Sequence, residues 1–439
     1  MAFGAFVSAA RERGELVVQP RMGFAAPVRM RAGLLAVRAA SATTAGTITL
    51  DSFTRVRQYA SARDAIARGI ELNGFPLVSL GPETTRTMLE GVHDDDFPVQ
   101  VRHGAALAHD IVESMLAAGL HATEGGPVSY CLPYGRTPLR DAVADWARCC
   151  ETLADADGAA HLESFGGCML GQLCPPSLLV ALTLLEALFF RRHGIRSLSL
   201  SYAQQTHTGQ DLEALGALRA LAGELLPDVE WHVVLYTYMG VFPRSRAGAE
   251  ELLSAGARLA AWSGAERLIV KTVAEADRIP TVGENVEALE LAAETARRHR
   301  ERVVRPVEPD SGLLAEARRF VDVVLDLHDD IGQGLIAAFE RGYLDVPYCL
   351  HPDNANRARA VIDRDGRLVW ADTGAMPIRG LTRKVPESAV GAGEILRMLG
   401  HVRDRFDRAH LMSAASGGLD QGITVDGGCA APEIGRPLR

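Results

Sequence analysis

Five short stretches of this chain run apolar and then stop on a charged residue. They end at Arg21, Arg55, Arg102 with His103, Glu124 and Lys271. Three guanidinium groups gathered at one mouth imply a ligand with more than one carboxylate, or a phosphate, because the planar fork binds such oxyanions through paired hydrogen bonds. Glu124 among them would take an ammonium group. The segment around it, residues 123–134, reads TEGGPVSYCLPY. Two glycines and a proline force a tight turn after the acid. Tyr130 and Tyr134 then offer phenols to the remaining oxygens. An amino-dicarboxylic acid such as glutamate or aspartate satisfies that inventory. The plainer alternative pairs each arginine with an acid at a helix end and leaves Glu124 as a loop cap.

A parallel barrel is what would bring these ends together. Strand-like stretches occur at 16–21, 47–50 (running on to Arg55), 77–80, 97–102, 122–124, 161–164, 197–202, 231–238 and 267–271, with helical patterns between them. Strand then helix, repeated without hairpin signals, reads as α/β with a parallel sheet. The span fits a (β/α)8 TIM barrel of about 250 residues, with its ligand site at the C-terminal ends of the strands. Nine stretches are one too many, and Leu77–Leu80 is the weakest. A doubly wound sheet is the alternative, but no G-x-G-x-x-G follows a strand. The barrel is assigned to residues 1–285, opening with a short helix over 1–15. Residues 286–439 form a small C-terminal α+β extension. It has helices at 286–300, 313–327 and 332–341. An antiparallel pair, 359–363 with 367–370, follows. A Gly-rich tail from Ser413 is expected to be mobile.

Composition narrows the function. With a net charge of −9 over 439 residues, nucleic acid is an unsuitable partner. The longest apolar run, Leu178–Phe190, is too short for a membrane span and contains Glu186. No basic region followed by an apolar core opens the chain, so no leader is expected. The seven cysteines are scattered without a C-x-x-C pair, which reads as free thiols in a reducing cytoplasm. Cys168 and Cys174 have no histidine at ligand spacing, and no metal site is expected. Of 46 basic residues only Lys271 and Lys384 are lysine. A lysine here departs from the chain's habit, and arginine does not replace a compact or deprotonatable amine.

The segments VVQPRMG, GTITLDSFTR, GPETTR, FPVQVRHG, ATEGGPVSYCLPY, HLESFGGCMLGQLCPPSLL, SLSYAQQT, VLYTYMGVFP, LIVKT and YLDVPYCLHPDN resemble the large (epsilon) subunit of glutamate mutase, or methylaspartate mutase, up to about residue 375. The resemblance implies a TIM barrel that holds L-glutamate and is capped by adenosylcobalamin. That coenzyme would be carried mainly by a small, Rossmann-like cobalamin-binding subunit, in a heterotetramer of two large and two small subunits. The implied reaction is the radical interconversion of L-glutamate and (2S,3S)-3-methylaspartate. Implied substrate contacts are Arg21, Arg55, Arg102, His103, Glu124, Tyr130 and Tyr134. Implied coenzyme contacts are Gly23, Arg55, Asn73, Pro133, Phe242, Lys271, Glu275 and Ile279. Lys271 and Glu275, four apart, would both aim at the adenosyl ribose. Phe53 stands where the family is expected to have tyrosine, which removes a hydroxyl near Arg55. Asp326–Gly332 approximates the cobalamin signature D-x-H-x-x-G with its glycine one residue late, and reads as a solvated helix end. Two alternatives stay open. One is a mutase or lyase on another amino-dicarboxylic acid, and the other a non-catalytic docking partner of a cobalamin protein.

Overall fold

The computed structural model describes residues 2–133, 135–156, 160–169, 173–300, 311–382 and 391–417. Tyr134, Cys429 and the tail from residue 418 lie outside them. Eight parallel strands carry the fold: β1 (Val17–Pro20), β2 (Gly46–Thr49), β3 (Val99–Arg102), β4 (Ala122–Gly125), β5 (His161–Ser164), β6 (Ser197–Ala203), β7 (Glu230–Tyr236) and β8 (Arg267–Val270). Neighbours run β1-β8-β7-β6-β5-β4-β3-β2. A parallel bridge from Val18 to Thr44 joins β1 to the β2 edge and closes the ring. The result is a (β/α)8 barrel, with helices covering the outside.

Two expected strand features differ. Leu77–Leu80 is a single helical turn, not a strand. Four residues carry no period that separates the two, and Pro76 and Gly81 (φ +80°) limit the segment to one turn. The second strand also does not run on to Arg55. The Asp51 carboxylate accepts the Phe53 and Thr54 amides at 2.9 and 3.1 Å and opens a helical turn, Ser52–Arg55. Arg55 therefore stands on a capped turn above the rim.

The barrel interior is polar where branched apolar side chains usually fill it. Gln19, Gln100, Glu163, Ser199 and Arg267 make one layer, all buried. Arg267 donates to Gln19 Oε1 (2.5 Å), Gln100 Oε1 (3.1 Å) and Ser199 Oγ (2.8 Å), and forms an ion pair with Glu163. Beneath, the helix Phe3–Glu12 plugs the N-terminal end of the barrel. The Phe3 ring stacks on His161 at 5.0 Å, and the Arg267 guanidinium lies 5.0 Å over that ring. A Cβ on Gly4 would lie 2.3 Å from Ser197 Oγ, so only glycine lets the plug seat.

The helix after β8, Val282–His299, packs on Pro27–Arg38, Arg246–Ser263 and β1. The expected boundary at residue 285 falls inside it. Helices Leu313–Leu327 and Ile331–Glu340 then pack on Pro176–Arg192. Asp326–Gly332 spans the end of the first helix, a turn at 328–330 and the start of the second, which Asp330 caps. β9 (Arg359–Ile362) and β10 (Leu368–Asp372) form the expected antiparallel pair. Gln210 of the barrel docks it by exchanging two hydrogen bonds with the Leu368 backbone, at 2.8 and 2.9 Å. A further helix, Ala392–Gly417, lies along Arg246–Ser263. It takes in residues 413–417 of the expected tail.

The buried Arg267–Glu163 pair generates a stability prediction. Arg267→Met leaves Glu163 as an uncompensated buried charge and should cost about 3–5 kcal/mol in urea unfolding, with a smaller loss for the double variant Arg267→Met/Glu163→Met. A loss of under about 1 kcal/mol for the single variant would remove the pair from the barrel's supports.

Candidate active site

Val101 of β3 pairs with Thr123 of β4, so the next residues, Arg102 and Glu124, stand side by side at the C-terminal end of the barrel. Both are buried. Arg102 Nε donates to Glu124 Oε2 at 2.7 Å. The Tyr236 hydroxyl reaches the same oxygen at 2.6 Å, and the Tyr130 hydroxyl donates to Oε1. Burial pushes the Glu124 carboxyl up, but the Arg102 charge and the hydrogen bonds from Arg102, Tyr130 and Tyr236 together bring it below the ordinary range. Glu124 is thus a buried anion held by one cation and two phenols.

The turn that delivers Tyr130 depends on its glycines. A Cβ on Gly125 would lie 2.4 Å from the Trp146 ring, and one on Gly126 would lie 2.1 Å from the Glu186 carboxyl. Glu186 projects from the buried helix Pro176–Arg192 and gathers four donors. These are the amides of Val128 (3.1 Å) and Ser129 (2.8 Å) and the hydroxyls of Ser129 and Ser164 (3.0 Å each). Burial pushes this carboxyl up to about 7 in spite of them. The C-terminal extension grips the same loop from outside. His351 Nε2 faces the Thr137 carbonyl at 3.0 Å, and Asp353 accepts the Leu139 amide at 2.7 Å.

His103 follows Arg102 and stacks on Trp146 at 5.8 Å. Burial lowers it to about 3, so the ring is neutral. Nδ1 accepts the Ala105 amide at 3.1 Å, which leaves the proton on Nε2. That buried Nε2 has no hydrogen-bond partner among the described residues. The Glu124 backbone carbonyl nearby works against burial in holding a proton on the ring. Arg55 is close by, its Cδ 3.8 Å from where a Cβ on Gly104 would stand. Phe53 turns away, packing with Ala25 on Ala62, Ala65 and Leu72.

A second cluster lies at the rim. Lys271 is only 3% exposed and pairs with Glu275 at 2.7 Å, while Arg21 reaches the same oxygen at 3.5 Å. The Lys271 ammonium also lies 5.1 Å over the Phe242 ring. Burial lowers the amine to about 8, working against Glu275. Gly23, Asn73 and Ile279 line a cavity of about 260 Å³ with Phe24, Arg29 and Glu71. A Cβ on Gly23 would strike the Thr49 carbonyl at 2.2 Å. Pro133 is half-buried at the end of the Tyr130 turn.

Tyr236, Glu163, Arg267 and Glu186 have no place in the residue set drawn from the sequence, yet they hold the site. Each is a polar or charged residue inside an otherwise buried element, and such a group demands a partner. That demand was the available signal.

Fold and site together define a (β/α)8 barrel whose strand ends carry buried, paired charges. The family model described as methylaspartate mutase E chain (MutE) matches residues 1–392. The glutamate mutase epsilon subunit of Halobacterium salinarum is 33% identical over 351 residues, covering 77% of this chain and 73% of that protein. That of Haloarcula marismortui is 34% identical over 336 residues, covering 73% and 68%. That of Escherichia coli O157:H7 is 32% identical over 349 residues, covering 75% and 72%. The chain belongs to the methylaspartate mutase E chain family.

Glu186 gives this site a pH signature. Its carboxyl keeps a proton up to about 7 in the folded chain, against a reference value of 4.5. The folded state is therefore favoured through this group at low pH, and the contribution drains away as pH rises through 7. Glu186→Gln mimics the protonated form and lacks that dependence. The melting temperature of wild type relative to the variant should be higher at pH 5 than at pH 8. A difference that does not change with pH would place the Glu186 proton elsewhere.

Proposed function

We propose that this chain is the substrate-binding, catalytic large subunit of an adenosylcobalamin-dependent glutamate mutase. It would interconvert L-glutamate and (2S,3S)-3-methylaspartate together with a small cobalamin-binding subunit, two of each, in the cytoplasm. The observation that carries this reading is the buried Arg102–Glu124 pair at the ends of β3 and β4. A ligand entering here has to replace each partner's opposite charge, or it leaves a charge buried alone. A zwitterion does so. Its carboxylate takes Arg102 and its ammonium takes Glu124. A plain dicarboxylate would strand Glu124. The second carboxylate of glutamate then falls to the remaining arginines, Arg21 and Arg55, with the neutral His103 Nε2–H and Tyr134 as further donors.

The rim residues suit the coenzyme. Arg21, which serves the substrate carboxylate, stands beside them, its Nε buried without a partner among the described residues and its Nη1 approaching Glu275. Ile279 is 57% exposed beside Gly23 and Asn73. Lys271 and Glu275 present a cation and an anion to the hydroxyls of a ribose, with Phe242 beneath the amine and Pro133 beside the Tyr130 turn. Other exposed apolar side chains, Val28, Val56 and Val241, also lie on segments that follow strand ends, a face suited to the small subunit. When bound, adenosylcobalamin supplies the carbon radical that removes a hydrogen atom from the substrate. The chain's own residues hold the substrate at fixed points and keep water from it, which limits side reactions. Arginines serve well there, because their charge does not change with pH.

The test combines the chain with a matching small subunit, adenosylcobalamin and L-glutamate without oxygen. Formation of 3-methylaspartate is expected. Glu124→Gln leaves Arg102 and the ammonium without their anion and should lower turnover about a hundredfold, the equivalent of about 3 kcal/mol. A demonstrated complex that makes no 3-methylaspartate would refute the reading.

A further inference from the structure

Glu124 and Glu163 stand directly opposite each other on β4 and β5. Like charges so placed repel. Each has its own arginine, Arg102 on Glu124 and Arg267 on Glu163. One phenol lies between them. The Tyr236 oxygen is 2.6 Å from Glu124 Oε2 and is also in hydrogen-bond contact with Glu163 Oε1. A phenol carries one hydrogen, so it cannot donate to both carboxylates at once.

The neighbours do not relieve this conflict. Besides Arg102, Glu124 faces Tyr130, which is committed to its other oxygen, and the neutral His103. Glu163 faces Arg267, Gln100 (3.2 Å) and Ser199 (3.1 Å), and all three donate to its Oε2. Among the described residues, Tyr236 alone makes a hydrogen bond to its Oε1. Cys168 lies near both acids, and burial pushes its thiol well up, so it brings no charge. Tyr236 is pushed up in the same way, by burial first and then by both carboxylates, and keeps its hydrogen.

We propose that Glu163 competes with Glu124 for the Tyr236 hydroxyl hydrogen, which makes Tyr236 a positioning residue that sets how firmly Glu124 holds a ligand ammonium. The proposal deepens the glutamate reading and rests on it for the identity of that ligand. With Arg102 on Glu124 the two carboxylates share the hydrogen, which can point to either one. When an ammonium arrives it donates in place of the phenol, and the hydrogen turns to the vacant Glu163 Oε1. Only the O–H bond rotates. No covalent bond forms or breaks.

Two substitutions should act in opposite directions. Tyr236→Phe removes a donor from the Glu124 anion and makes it a weaker acid. In Glu163→Gln the donors Arg267, Gln100 and Ser199 keep the amide oxygen on the Oε2 side, so the group facing Tyr236 becomes an N–H donor and a neighbouring negative charge is lost, which makes Glu124 a stronger acid. The readout is the acidic limb of L-glutamate binding, measured by calorimetry on the assembled complex with the small subunit. The limb should move up by about one pH unit in Tyr236→Phe and down by a comparable amount in Glu163→Gln. Because Glu163→Gln leaves Arg267 without its anion, Glu163→Gln/Arg267→Gln is run beside it and should shift the same way as the single variant. Limbs that stay in place, or that move together in Tyr236→Phe and Glu163→Gln, overturn the proposal. If the wild-type complex does not bind L-glutamate, the functional reading fails instead. The competition is then read by infrared titration of the carboxyl band that Glu124→Gln removes, where the same opposite shifts are required.

Discussion

A charge inside a protein must be paired, and that constraint orders this barrel. Its interior carries two ion pairs, Arg267 with Glu163 and Arg102 with Glu124, all four residues buried. Tyr236 ties the pairs together. Neither pair is an efficient source of stability, since desolvation consumes most of the attraction. Their value is geometric. Each group is fixed by partners on different strands, so the strand register becomes the precision of the site.

The same logic extends outward. The turn after Glu124 has no regular structure of its own to hold it. It is held by Glu186 from the core side and by His351 and Asp353 from the extension. The two glycines matter because Trp146 and Glu186 already occupy the space a side chain would need. The C-terminal extension is therefore part of the site's support. Lys271 fits its setting for a related reason. A compact amine fits between Glu275 and the Phe242 ring while only 3% exposed.

Much of this was legible in the sequence. The alternation of apolar runs and helical patterns led to a parallel barrel, and the charged run-ends at Arg102, Glu124 and Lys271 lie where strands β3, β4 and β8 end. Four-residue runs were the weak point, because Leu77–Leu80 shows no period. Arg55 was misplaced onto a strand, although Asp51 before Ser52 is a helix-capping signal. The helix Ala392–Gly417 was missed even though Ile395, Met398, Val402 and Phe406 recur at helical spacing. Gly391, Gly393 and Gly400 diluted that pattern. Tyr236 and Glu163 were hidden for a deeper reason. Their importance comes from which strands are neighbours, and strand adjacency in a closed ring is not written in any local stretch.

Membership of the methylaspartate mutase E chain family and the paired charges at the mouth lead to one central claim. It is that, on the proposed function, the Arg102–Glu124 pair holds the place of a zwitterionic substrate. A structure of the assembled complex with L-glutamate tests it directly, through the Arg102 Nε to Glu124 Oε2 distance, which is 2.7 Å in this structure. The account predicts that this contact opens, with a ligand carboxylate on Arg102 and the ligand ammonium on Glu124. An intact pair with L-glutamate bound elsewhere would contradict it.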